Sequence, residues 1–148
     1  MKNRHRLAKL AIPVALCLVA SIALVKRSSA TIGNVNKGDL AGPWQVTLYG
    51  QGGCGVGTVQ VNFTLNSSGV STAATSRAHN VGCGDYTTTG NTFTITSMTF
   101  NGSGTASLTC GSGCGFTFDI QVAPDRSSFN LVDLTDPGNF LEGVAIHQ

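Results

Sequence analysis

The sequence predicts an all-β protein: an antiparallel up-and-down meander of about eight strands, closed or nearly closed into a barrel, with a β-sandwich as the alternative. From Trp44 onward, apolar and polar side chains alternate with a period of two in one short segment after another, and no long helical period competes. Short connections rich in Gly, Asn and Ser separate the segments, so consecutive strands should pair as antiparallel neighbours. Eight strands with one apolar face each most economically enclose a single core by closing.

The first thirty residues have the pattern of a secretory signal peptide. A basic start precedes an apolar run from Leu10 to Val25, and small residues then lead to a cleavage position after Ala30. A second cleavage position follows Ala23. Because Lys26 and Arg27 follow the apolar run, the alternative of an uncleaved membrane anchor stays open. We therefore expect a secreted, periplasmic or extracellular protein that is membrane-associated only if this segment is retained.

Removal of this segment reverses the sign of the charge. The whole chain has nine Lys and Arg residues and seven Asp and Glu residues, for a net charge of +2. The part after residue 30 keeps three cations (Lys37, Arg77 and Arg126) against all seven acids, for a net charge of −4. Three scattered cations form no basic patch, so nucleic acid is excluded as a partner.

Residues 31–40 are expected to be a polar lead-in, and residues 41–148 a single disulfide-stapled β domain. The alternation places strands at 44–49, 58–65, 70–78, 92–100, 105–110, 116–122, 128–134 and 140–147. A longer stretch punctuated by glycine, residues 79–91, separates the third strand from the fourth.

The apolar positions change phase inside the fourth predicted strand. Phe93 and Ile95 lie in one phase, whereas Met98 and Phe100 lie in the other. An extra residue in one strand produces such a switch, so the pattern predicts a β-bulge near Ser97.

Four cysteines remain after the signal peptide, namely Cys54, Cys83, Cys110 and Cys114, and in an exported domain they indicate two disulfides. Because successive connections of a meander alternate between its two ends, strand counting places all four at one end of the barrel. Our preferred pairing joins Cys110 to Cys114 within one loop and Cys54 to Cys83 between loops. The two other connectivities stay open.

The cysteine end is the candidate binding rim, because long loops at one end of a β scaffold often carry binding sites. Three of the cysteines lie in a repeated Gly-Cys-Gly triplet, whose glycines permit the positive φ that a disulfide at a loop tip often needs. Besides the cysteines, the candidate rim comprises Gly53, Gly55, His79, Gly82, Gly84, Asp85, Gly113 and Gly115. The alternative is that the disulfides only clamp this end.

No catalytic site can be assembled from the sequence, so we expect no enzymatic activity, no cofactor and no metal. His79 and Asp85 are the one pair that could act as a general base and the carboxylate that orients it, and no motif for a serine nucleophile accompanies them. His147 falls at the opposite end by strand count. Asp133 and Asp136 could hold Ca²⁺ together with backbone carbonyls, but turn chemistry explains them equally well.

The segment Gly42-Pro43-Trp44 opens the first predicted strand and resembles the G-x-W start of lipocalin- and avidin-like (calycin-type) barrels. In those families the Trp plugs the closed end of the barrel. The resemblance implies a small β-barrel in which Trp44 lies away from the cysteines. The chain as a whole also resembles small exported bacterial proteins that end in a strand like the segment from Phe140 to Ile146, and this resemblance implies location and fold class.

Two functions are expected. The first is a non-enzymatic protein that binds a small or apolar ligand at the barrel mouth or interior. This function would be excluded by a core that has no cavity and is filled by Phe63, Phe93, Phe116, Phe118 and Leu108. The second is a structural or surface-interaction protein of the envelope or extracellular matrix, whose partner is a cell-surface component.

The sequence also has three matches to the N-glycosylation sequon, at Asn62, Asn66 and Asn101. Chance matches are expected in a chain this rich in Asn, Ser and Thr, so their use stays open.

Overall fold

The computed structural model describes residues 33–111, 113, 115–135, 138 and 140–148, and the predicted signal peptide lies outside this part. A short 3-10 helix, Lys37–Leu40, precedes eight strands. The strands are β1 (Gly42–Gly52), β2 (Gly55–Leu65), β3 (Val70–Asn80), β4 (Gly84–Met98), β5 (Ser103–Thr109), β6 (Gly115–Val122), β7 (Ser128–Asp133) and β8 (Phe140–His147). Within the described part of the chain, no helix is long and apolar enough to cross a membrane.

The eight strands form a closed barrel. Each strand pairs antiparallel with the next, and β8 pairs back to β1. The predicted fold class, an up-and-down antiparallel barrel, is therefore confirmed, and the sandwich alternative is wrong.

The alternation of apolar and polar residues along each strand determines which side chains fill the barrel interior. In β2, Val61, Phe63 and Leu65 are buried, whereas the intervening Asn62 and Thr64 are exposed. A slip of one residue against β1 would expose the whole apolar set, so burial specifies the register.

The longest hairpin, β3–β4, differs from the prediction. Residues 79–91 were expected to form a glycine-punctuated connection, but Asn80 already pairs with Gly84 across a short turn, and His79 pairs with Asp85. This segment is strand in which hydroxyl and amide side chains face both ways, so it lacks the apolar alternation that reveals a strand. The hairpin extends the barrel wall at the cysteine end.

Two bulges change the phase of β4. Ile95 pairs with Ala106 but Ser97 pairs with Thr105, which confirms the bulge predicted near Ser97. The expectation that Phe100 continues this strand is wrong. The chain turns after Met98, and the Phe100 side chain is 72% exposed.

The second bulge lies at Gly90 and was not predicted. Ser76 pairs with Thr88 and Ala74 with Asn91, so β4 has one more residue than β3 between these pairs. Gly90 has a φ of +73°, the left-handed conformation that glycine adopts most easily. The bulge turns both Thr88 and Asn91 toward the barrel interior.

The lead-in closes one end of the barrel. Its predicted polar character is incomplete, because Val35 and Leu40 are buried in the core. The Arg126 guanidinium lies 3.3 Å from an Asp39 carboxylate oxygen and donates to the Asn34 carbonyl. These contacts hold the 3-10 helix across this end.

Aromatic rings pack the half of the barrel next to the lead-in. The centroids of Trp44 and Phe129 are 4.8 Å apart, and those of Phe63 and Phe93 are 4.4 Å apart. The ring of His147, on the last strand, contacts Trp44 edge-on at 4.8 Å. This end, called the closed end below, is therefore solidly filled.

Candidate functional site

The opposite end, called the disulfide end below, contains the cysteine turns. Cys54 in the β1–β2 turn is bonded to Cys83 in the β3–β4 turn, with a Cα–Cα distance of 5.4 Å. This is the pairing between loops that we preferred from the sequence. Cys110 is also disulfide-bonded, and its expected partner, Cys114, lies outside the described residues. A disulfide is compatible with an extracellular or periplasmic location.

Backbone contacts reinforce the disulfide. The amide of Gly82 donates to the Cys54 carbonyl at 2.9 Å, and the amide of Val81 donates to the Val56 carbonyl at 3.0 Å. A Cβ at Gly82 would lie 2.8 Å from the Cys54 oxygen, which is too close for any real side chain. The glycine of this triplet therefore permits the close approach of the two turns.

A cavity of about 280 Å³ occupies the barrel interior at the disulfide end. Its apolar walls are formed by Leu48, Val59, Ala78, Leu108, Phe116 and Leu141. Its polar side chains are Ser76, Asn80, Tyr86 and Thr88, and its rim comprises Gly50, Gly52, Gly53, Cys54 and Cys110. None of these described lining residues is charged. Binding pockets for small molecules are typically about 300–1,000 Å³ and largely apolar, so this cavity lies just below that range in volume.

The cavity exists because small side chains face inward at this end. Ser76 and Ala78 of β3 line this part of the interior with small side chains, whereas Trp44, Phe63, Phe93 and Phe129 fill the part near the closed end. Phe63, Phe93 and Phe118 are buried in the core, as expected, but Leu108 and Phe116 line the cavity wall. The barrel therefore does not have the completely filled core that would have excluded an interior ligand.

A hydrogen-bonded cluster lies at the base of the cavity. Asn91 is fully buried, and its Nδ2 donates to Ser76 Oγ at 3.2 Å and to Thr88 Oγ1 at 2.9 Å. Its Oδ1 accepts from the backbone N–H of Gly111 at 3.3 Å, which orients the amide because that N–H can only donate. The two hydroxyl oxygens are 2.6 Å apart. Both hydroxyls line the cavity.

A second polar pair lies higher on the wall. Asn80 Nδ2 donates to the Tyr86 hydroxyl at 3.1 Å, and both side chains line the cavity. Gly57 on the neighbouring strand makes room for this pair, since a Cβ there would lie 2.0 Å from Asn80 Oδ1.

His79 and Asp85 were placed on the candidate rim, but they do not line the cavity. Their side chains are 73% and 70% exposed on the outer face of the hairpin, where Nδ1 and Oδ1 are 2.5 Å apart. Strand alternation explains the difference, because their neighbours Ala78 and Tyr86 are the inward residues of those strands. His147 lies at the closed end, as strand counting indicates.

The other residues predicted for the binding rim lie in different places. Gly53 and Cys54 line the cavity, whereas Gly113 lies at the tip of the β5–β6 connection with a φ of +94°. Asp133 Oδ1 accepts from the backbone N–H of Thr135, which is the expected turn chemistry, and Asp136 lies outside the described residues. Within the described ranges, no three His, Cys, Asp or Glu side chains are grouped so that they could hold a metal ion.

A larger groove of about 500 Å³ lies near the closed end, between the diverging parts of β2 and β3. Exposed Asn62, Thr64 and Thr72 line it, and it opens widely to solvent. Because it would remove little of a ligand's surface from water, the interior cavity is the better candidate site.

The sequence did not predict the polar side chains of the cavity, Ser76, Asn80, Tyr86 and Thr88, or the buried Asn91 behind them. Their inward orientation depends on the extended hairpin and on its bulge. Gly90, a glycine among hydroxyl residues, was the one local signal of a change of phase.

Comparison with known proteins supports the fold. The chain matches no family model, and no curated protein sequence is significantly similar to it. A solved structure described as the de novo design of a fluorescence-activating β-barrel aligns with a TM-score of 0.51 and 11% identity. The alignment covers 77% of this chain and 99% of the designed one. The chain is thus similar in fold to a small closed β-barrel.

Proposed function

We propose that this is an exported, non-enzymatic binding protein that takes a small apolar ligand into the cavity at the disulfide end of the barrel. One observation carries the proposal: half of the interior is solidly packed, while the other half encloses about 280 Å³ between apolar walls. An apolar cavity of about 150 Å³ accepts benzene, so this one suits a ligand of roughly bicyclic size.

Three further features support the proposal. The cross-loop disulfide holds the mouth in shape and suits an oxidising compartment. Trp44 plugs the closed end, as the lipocalin-like resemblance implies. None of the described residues that line the cavity is an Asp, Glu, His, Lys or Arg, and the His79–Asp85 pair lies on the outer face of the barrel wall.

Isothermal titration calorimetry with naphthalene tests the proposal. We expect saturable one-to-one binding to the oxidised protein, with amide chemical shifts changing around Ala78 and Leu108. Ala78→Leu narrows the cavity and should weaken binding markedly. Thr75→Leu, an exposed change on the same strand, should leave the affinity unchanged. Absence of naphthalene binding, or equal binding by the Ala78→Leu variant, would contradict the proposal.

The structural or surface-interaction role is the second candidate, and an apolar stripe on the outer face favours it. Tyr49, Val132, Val144 and Ile146, on β1, β7 and β8, are 42–55% exposed. Glu142 lies between Tyr49 and Val132, so the apolar surface is interrupted. Exposed apolar side chains grouped on neighbouring strands can still mark an interaction site. Cell fractionation and sedimentation test this role, since a strictly monomeric, freely diffusing product would count against it.

A further inference from the structure

The hydroxyl pair at the base of the cavity has hydrogen-bonding capacity that the protein itself does not use well. Ser76 Oγ and Thr88 Oγ1 each accept one hydrogen bond from the Asn91 amide, whose orientation the Gly111 N–H determines. At 2.6 Å the two hydroxyls also share one hydrogen bond, in which either oxygen can be the donor. Each hydroxyl has one hydrogen and two lone pairs.

Counting hydrogens gives the same result for both directions of the shared bond. The hydroxyl that donates uses its hydrogen on its neighbour and one lone pair on Asn91, so it keeps one free lone pair. The hydroxyl that accepts uses both lone pairs and keeps its own hydrogen. The pair therefore offers one donor and one acceptor, on adjacent oxygens that line the cavity.

Within the protein, the spare hydrogen has a poor alternative partner. Thr88 Oγ1 can donate to Asn91 Oδ1, but at 3.3 Å this contact is longer than the 2.5–3.0 Å usual for hydroxyl donors. A ligand oxygen at normal distance would replace it. A ligand hydroxyl satisfies both open positions at once, because it accepts from one oxygen and donates to the other.

Charge narrows the ligand class further. The three cations of the region after residue 30 are committed elsewhere. Lys37 Nζ donates to the Thr96 carbonyl, Arg126 holds the lead-in, and Arg77 is exposed on the outer face of β3. A carboxylate in the cavity would therefore be buried without a counter-ion, which is costly, and it could not donate to the free lone pair. An ammonium group could only donate.

We infer that the cavity is specific for a neutral apolar ligand carrying a hydroxyl group, an alcohol or a phenol, which Ser76 and Thr88 bind together. This inference rests on the proposed function and adds the chemical class of its ligand. A ligand of this class has its apolar body against Leu108 and Phe116 and its hydroxyl on the Asn91 cluster.

A shape-matched series tests it on the oxidised protein: 2-naphthol, 2-methylnaphthalene and 2-naphthoate, compared by isothermal titration calorimetry. We expect 2-naphthol to bind roughly 3- to 10-fold more tightly than 2-methylnaphthalene, as one net hydrogen bond predicts. We expect 2-naphthoate to bind at least about 10-fold more weakly than 2-naphthol.

Substitutions assign the preference to the pair. Ser76→Ala and Thr88→Val should each reduce the advantage of 2-naphthol, because one hydroxyl is left to bond the ligand oxygen instead of two. The double variant Ser76→Ala/Thr88→Val should reduce this advantage to about 1-fold while leaving the affinity for 2-methylnaphthalene unchanged. Thr87→Val, an exposed neighbour on the same strand, should preserve the full advantage. The amide signals of Thr88 and Gly111 should shift with 2-naphthol more than with 2-methylnaphthalene.

The possible failures are distinguishable. If no member of the series binds, the proposed function itself fails. If 2-methylnaphthalene binds and 2-naphthol binds no more tightly, the cavity is an apolar site and the hydroxyl specificity is wrong. Equal binding of 2-naphthoate and 2-naphthol would overturn the requirement for a neutral ligand.

Discussion

The indole N–H of Trp44 donates a 2.8 Å hydrogen bond to the backbone carbonyl of Leu40, and both residues are almost wholly buried. This bond joins the first strand to the 3-10 helix of the lead-in. It satisfies the one polar atom of the largest core side chain and a carbonyl at the end of the helix. The closed end is thereby both plugged and tied to the chain that covers it.

Trp44→Phe should destabilise the barrel by about 2–4 kcal/mol, because it leaves a void and a buried Leu40 carbonyl without a partner. Urea unfolding followed by far-UV circular dichroism measures the change. Tyr49→Phe, at an exposed aromatic residue of the same strand, is the control and should shift the unfolding free energy by less than about 0.5 kcal/mol. Equal effects of the two substitutions would show that the indole bond contributes nothing.

The Cys54–Cys83 disulfide should stabilise the protein mainly by restricting the unfolded chain. With a separation of 29 residues, replacing both cysteines by serine should cost about 3–4 kcal/mol. The variant should still form the barrel, because the Gly82–Cys54 and Val81–Val56 backbone bonds remain. Urea unfolding of the Cys54→Ser/Cys83→Ser variant measures the loss. An unchanged midpoint would mean that the disulfide constrains little.

Asn91 should be important for stability as well as for the polar base of the cavity. Asn91→Leu keeps the approximate volume but removes the partners of Ser76, Thr88 and the Gly111 amide. We expect a loss of about 1–3 kcal/mol in unfolding free energy. Thr89→Leu, at an exposed neighbour in β4, provides the comparison. A stabilised Asn91→Leu protein would show that the cluster is better replaced by apolar packing.

The β6–β7 turn predicts a local pH dependence. The Ser127 hydroxyl and backbone N–H both donate to Asp125 Oδ1, and they lower the pKa of this carboxyl below its ordinary value. A lowered folded-state pKa contributes stability above the unfolded-state pKa, and that contribution is lost as pH falls through the folded-state pKa.

In Ser127→Ala, NMR titration of the Asp125 carboxyl should show its pKa rising toward the ordinary value, because the hydroxyl donor is the larger cause. The wild type and the variant should then become more alike in stability at the acid end of the titration. An unchanged Asp125 pKa in Ser127→Ala would assign the effect to the backbone donor alone.

Much of the architecture could be predicted from local pattern. Alternation in β2 and β6, and the phase switch near Ser97, depend on a period of two that any strand with one buried face must show. The common end of the cysteines followed from counting strands, and the structure places Cys54, Cys83 and Cys110 there.

The candidate site could be predicted less well. His79 and Asp85 are neighbours, as their spacing suggested, but which face they occupy depends on pairing between β3 and β4. The inward residues Ser76, Tyr86 and Thr88 have no apolar signature, because a cavity wall does not require one. The Gly90 bulge then changes which residues of β4 face inward.

The sequence by itself therefore determined the all-β class, the order of the strands and which end of the barrel contains the cysteines. These properties follow from side-chain periodicity and chain connectivity, which are local. Only the tertiary structure decided that the barrel is packed at one end and hollow at the other, and that Ser76 and Thr88 meet over Asn91. Volume and hydrogen-bond geometry inside a closed barrel depend on residues brought together from different strands, and no single segment contains that information.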